Sequence, residues 1–118
     1  MPAKDKFNAA VMKLQHEMWK NKLITFLNGG PAPTNTSHKD CALGKWMYQE
    51  GGMSEYGTLP EMKSLERQHT QFHDTVRKAI DLHSAGDQDA AWKLYESLKP
   101  MSAEIMRIID VFNTKINR

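Results

Sequence analysis

The chain has 118 residues, 40% of them apolar and 25% charged, with a formal net charge of +2. These values fit one small folded domain with a single core and exclude a disordered chain. Basic and acidic residues are interspersed, so no nucleic-acid footprint shows, and no apolar run is long enough to cross a bilayer.

Residues 1–6 lack the apolar core of a secretory signal. The spacing that follows predicts a helix over about residues 4–28, closed by Gly29-Gly30-Pro31. At about 100° per residue this helix carries two apolar faces. Phe7, Val11, Leu14 and Met18 make one; Met12, His16, Trp19, Leu23, Phe26 and Leu27 make the other, roughly opposite. A helix of a small monomer buries one face, so the second points to a partner subunit and a homodimer.

Pro31-Ala32-Pro33-Thr34-Asn35-Thr36 reads as a loop, and Ser37-His38-Lys39-Asp40 as a capping box opening a short helix through Tyr48 or Gln49. Cys41 then falls in the first turn, where unpaired N–H groups favour a thiolate. As the single cysteine it has no internal disulfide partner, so a reduced thiol and a cytoplasmic location are expected. Gly51-Gly52 ends the short helix, and Ser54-Glu55-Tyr56-Gly57 reads as a turn.

Leu59-Pro60-Glu61 opens a long helix that runs to about Ser84 and stops at Ala85-Gly86. Met62, Leu65, Phe72, Val76 and Ile80 share one stripe of it with His69 and His73. Asp87 caps the last helix, over about residues 88–117. Its Ala91, Leu94, Leu98, Met101, Ile105, Ile108 and Phe112 form a bundle seam that stays in register across Pro100. The expectation is an all-α fold, an antiparallel four-helix bundle with an additional short helix carrying the cysteine, in a single domain over residues 1–118.

Two imidazoles in an apolar stripe need partners, and hydrogen bonding, catalysis or a metal would each supply them. His16, Cys41, His69 and His73 fall on the inner faces of three helices. Three imidazoles and a thiolate suit tetrahedral zinc, and histidines four apart can hold one ion from a single helix. Taken singly, each histidine is more often a hydrogen-bonded core residue and the cysteine an inert buried one. The coincidence of all four on facing surfaces favours the metal.

Glu66-Arg67-Gln68-His69 also fits the Glu-x-x-His pattern of di-iron bundles, but no second pair accompanies it. Glu66 and Asp74 are expected in solvent or orienting an imidazole. Catalysis by Cys41 with a histidine base has no nameable oxyanion site. A His3Cys zinc site leaves no position for a reactive water, so no enzyme is expected. His38 and Lys45 are expected in solvent and His83 at a helix end. Trp19, Trp46 and Trp92 are expected as core or interface anchors.

Cys41-Ala42-Leu43-Gly44-Lys45-Trp46, followed by Tyr48, Gly51, Tyr56 and Leu59-Pro60, resembles the bacterial chemoreceptor zinc-binding domain family. The resemblance continues through His69-x3-His73 and takes in His16 upstream. It implies a homodimeric helical domain in which His16, Cys41, His69 and His73 bind Zn2+. Such domains accompany cytoplasmic chemoreceptors, where oxidation of the zinc-bound cysteine can signal, and diguanylate cyclases inhibited by zinc.

The sequence holds no receptor signalling hairpin and no Gly-Gly-Asp-Glu-Phe motif, so the output is expected from another domain or a protein acting in trans. Three versions follow: zinc occupancy as the signal, oxidation of Cys41 as the signal, or a structural zinc staple in an interaction module. Because the cysteine rides a short helix between Gly/Pro-rich connections, loss of the ion is expected to release residues 36–52 while the long helices stay packed.

Overall fold

Apolar stripes at helical spacing draw three long helices together along most of their length. The computed structural model describes residues 7–33 and 41–117. Among them α1 (Ala9–Leu27), α2 (Ala42–Gln49), α3 (Gly52–Tyr56), α4 (Pro60–Ser84) and α5 (Gln88–Ile116) follow in chain order, without a strand. This is the all-α bundle expected from the sequence. Its long members among the described residues are three rather than four, with α2 and α3 as short bridging helices.

The α4–α5 hairpin is the spine. Pro60 occupies the first turn of α4, where a missing N–H costs nothing, and Asp87 caps α5 by accepting the Ala90 N–H at 3.2 Å. The 29 residues of α5 span about 43 Å at 1.5 Å per residue, against a molecular length of 47 Å. Pro100 lies on the exposed side of α5, and the helix continues through it.

Helix α1 runs parallel to α4 and antiparallel to α5. His16 meets Phe72 and Phe26 meets His83, with ring centroids 4.1 and 4.6 Å apart. Lys13 Nζ reaches Asp110 Oδ1 at 2.8 Å, near the opposite end of α5. Met12, His16, Trp19, Leu23, Phe26 and Leu27 are buried, as the periodicity requires, while Val11, Leu14 and Met18 stay exposed.

Three local expectations change. First, α1 begins at Ala9, because the Asn8 side chain accepts the Val11 N–H at 3.0 Å and holds residue 8 extended. That turns Phe7 out of the helical stripe and into the core, with ring centroids 4.7 Å from Trp46 and 5.1 Å from Phe112. Second, Cys41 is the N-cap of α2 rather than a first-turn residue; its Sγ accepts the Gly44 N–H at 3.4 Å. The capping box at residues 37–40 lies outside the described residues, as do residues 1–6.

Third, the turn expected at residues 54–57 is largely the short helix α3. Gly51, in the left-handed region at φ +93°, separates it from α2. A Cβ on Gly52 would stand 2.7 Å from the Trp46 ring, so α3 starts only where that side chain is missing. Trp46 is fully buried among Phe7, Tyr56 and Phe112, and it docks α2 and α3 onto the end of α5.

Candidate metal centre

The apolar stripe of α4 carries His69 and His73 into the bundle, where both are almost fully buried. Their rings stand edge to face with centroids 4.6 Å apart, one turn above the other. The cap position of α2 brings Cys41 Sγ to 3.1 Å from His69 Nε2. One ligand atom from each of Cys41, His69 and His73 lies within 4.8 Å of the others. Tetrahedral ligands at about 2.0–2.3 Å from one ion stand roughly 3.3–3.6 Å apart, so small adjustments close the three onto a shared centre.

The fourth sequence candidate arrives from α1. His16 is buried and lines the same cavity as Cys41, His69 and His73, but it does not belong to the close group of three. Burial, with smaller contributions from His73 and Lys20, pushes its pKa down to about 3, so the imidazole is neutral and keeps a lone pair. His16 Nε2 is buried without a hydrogen-bond partner among the described residues. Leaving such an atom unsatisfied costs about 1–3 kcal/mol, which a cation in the cavity would offset.

The cavity holds about 10 Å³, the room of one water or one bare ion, and Met12, Trp19, Leu43, Ile105 and Ile109 complete its walls. Imidazoles, a sulfur and apolar walls fit a borderline-soft cation ligated by protein alone. Among the described residues, this cavity has no volume for a substrate beside the ion.

Two ties around the site carried no signal in the sequence. Gln15 Oε1 accepts the Ala42 N–H at 2.9 Å, joining α1 to the start of α2. Tyr48 donates its hydroxyl to Glu66 Oε2 at 2.7 Å, joining the end of α2 to α4. Burial and the Glu66 carboxylate hold the Tyr48 phenol well above its ordinary pKa, so it remains a donor. Asp74 is exposed and pairs with Arg77 along α4.

Lys45 is exposed, as expected, and His83 packs on Phe26 in the last turn of α4. Trp19 and Trp46 are buried and Trp92 is half-buried against the core. His38 lies outside the described residues.

No curated protein and no solved structure matches the chain. A family model described as the chemoreceptor zinc-binding domain matches residues 16–80, a stretch that begins at His16 and contains Cys41, His69 and His73. That match covers more than half of the sequence: the chain belongs to the chemoreceptor zinc-binding domain family, and its metal is zinc.

Proposed function

We propose that the chain is a zinc-binding sensory or regulatory domain whose ion is held by His16, Cys41, His69 and His73. The observation that carries the reading is the ion-sized buried cavity in which Cys41, His69 and His73 converge, with His16 in its wall. Zinc there is a closed four-ligand centre, not a Lewis acid, because four protein ligands leave no open position. The domain is accordingly not an enzyme.

A sensor must lose or alter its ligand without losing its fold. In support, Leu65, Phe72, Leu98, Ile105 and Ile109 are fully buried on the long helices, whereas Cys41 is only partly buried against that core. Cys41 comes from outside that framework, on an eight-residue helix. Departure of zinc or oxidation of the sulfur therefore changes one short element against a fixed background.

The unit is the whole of residues 1–118, acting in the cytoplasm on an output domain or a protein in trans. It pairs as a homodimer through the outer stripe of α1, where Val11, Leu14 and Met18 are 44, 61 and 47% exposed. Titration with a competing chelator, followed by far-UV circular dichroism, tests the reading. One zinc per chain and retention of most helicity on chelation are expected. Collapse of helicity on chelation would make the ion a folding staple and remove the basis for a sensor.

A further inference from the structure

We propose that Gln15 is a positioning residue for Cys41, a clasp that fixes the start of α2 on α1 and so sets where the sulfur points. The inference rests on the zinc reading above and adds a residue to it. The Ala42 N–H that Gln15 accepts at 2.9 Å is a first-turn amide with no acceptor inside the helix. It belongs to the peptide that joins Ala42 to Cys41, so the clasp acts one bond from the ligand residue.

Why a clasp is needed follows from how α2 is packed. Leu43, Trp46 and Met47 bury one face of it. Apolar burial is not directional, and Trp46 and Met47 fix the second half of α2, so the Cys41 end keeps freedom for small rotations about the helix axis. A rotation of about 20° moves an atom ~4 Å from that axis by roughly 1.5 Å, beyond the ~0.5 Å within which a ligand set must be held. The separation of 3.1 Å between Cys41 Sγ and His69 Nε2 does not survive such a shift.

Directional bonds remove the freedom. Gln15 immediately precedes His16 on α1, and Glu66, which receives the Tyr48 hydroxyl at 2.7 Å, lies one turn before His69 on α4. Each end of α2 is thus tied to a different ligand-bearing helix, within one turn of a histidine of the site. Gln15 holds the end that carries the sulfur; Tyr48 holds the other.

Four full-length proteins test the proposal: wild type, Gln15→Met, Gln15→Glu and Tyr48→Phe. Methionine keeps the length and helix propensity of residue 15 but has no oxygen acceptor; glutamate keeps one. Two quantities are read: zinc affinity by competition with a chromophoric chelator, and amide exchange of Ala42 in zinc-free protein. Gln15→Met is expected to lose about tenfold in zinc affinity and to exchange Ala42 about tenfold faster, as losses around a ligand shell do. Gln15→Glu restores both to within about threefold, because a carboxylate oxygen accepts the same amide. Tyr48→Phe leaves the exchange of Ala42 near wild type.

Wild-type affinity in Gln15→Met, or equal losses in the methionine and glutamate variants, would overturn the proposal. So would a Tyr48→Phe variant that speeds Ala42 as much as Gln15→Met, because α2 would then loosen as a unit. A wild type that binds no zinc overturns the zinc reading instead. Faster Ala42 exchange in Gln15→Met would then leave a clasp without a metal to serve.

Discussion

Cys41 Sγ and His69 Nε2 lie 3.1 Å apart although 28 positions separate the residues in sequence. Two good ligand atoms that close are either a hydrogen-bonded pair or two corners of one coordination shell, and both uses fail when the sulfur is removed. Cys41→Ser is expected to weaken zinc binding by more than the roughly 10–100-fold that losses outside the ligand shell cost. Helicity should stay near wild type, because Cys41 is only partly buried against the bundle core. His69→Ala should weaken binding similarly while Leu43 and Trp46 keep α2 docked. Chelator competition and circular dichroism on the same samples check both.

The close approach of Gly52 to Trp46 gives a second expectation. A methyl group there meets the indole at 2.7 Å and the Met47 Cα at 3.0 Å, and neither neighbour is the free end of a flexible chain. Gly52→Ala should cost about 1–3 kcal/mol by urea denaturation and reduce zinc affinity as well, because the displaced indole carries α2 with it. Trp46→Ala should cost about 3–5 kcal/mol.

His16 gives the zinc-free protein a pH dependence. Its folded pKa is about 3 against an ordinary 6.5, so the unfolded chain takes up a proton that the folded one refuses. Stability associated with neutral His16 is complete above pH 6.5 and is lost as pH falls towards 3, at up to about 1.4 kcal/mol per unit. Between pH 6.5 and 5 the chelated wild type should lose about 2 kcal/mol in urea midpoints converted to free energy. His16→Leu should flatten that part of the profile.

The exposed α1 stripe makes the quaternary proposal testable without disturbing the core. Leu14, at 61% exposure, has little to lose in the monomer, so Leu14→Glu should leave the thermal midpoint of the fold within a degree or two at high dilution. At micromolar concentration wild type should sediment as a dimer and Leu14→Glu as a monomer. A monomeric wild type would refute the interface.

Chelation should loosen less of the chain than the sequence suggests. From composition, the whole of residues 36–52 looks weakly held. In the structure Trp46 and Met47 are fully buried, so the second half of α2 has a core of its own. Hydrogen exchange with and without a chelator should therefore deprotect residues 41–44 most, and leave Trp46, Met47 and the centres of α4 and α5 protected. Uniform deprotection would mean that the ion holds the bundle together.

The long helices were legible because their signals are periodic and local. The buried stripes of α1 and α4, Pro60 at a helix start and Asp87 as a cap all read directly from spacing and residue type. What escaped depended on partners far along the chain. Phe7 fits the outer stripe of α1 by phase alone. Its burial is decided by Asn8 ending the helix early and by Trp46 and Phe112 waiting for it.

Around the site, a sulfur cap is not among the preferred helix-start residues, so residue type signals a cap at Ser37 and none at Cys41. Gln15 was invisible for a different reason. It sits on the flank of α1 and bonds a backbone amide, which leaves no complementary residue type to find. Cys41, His69 and His73 come together as their helix positions suggest, but phase alone does not say that His16 lines the same cavity without joining their close group.

X-ray absorption at the zinc edge, on protein purified without added metal and with its zinc content measured on the same sample, bears most directly on the proposed His3Cys centre. The expected result is one zinc per chain with three nitrogens at about 2.0–2.1 Å and one sulfur near 2.3 Å. A shell without sulfur, or one completed by water oxygen in place of the third imidazole, would contradict the proposed ligand set.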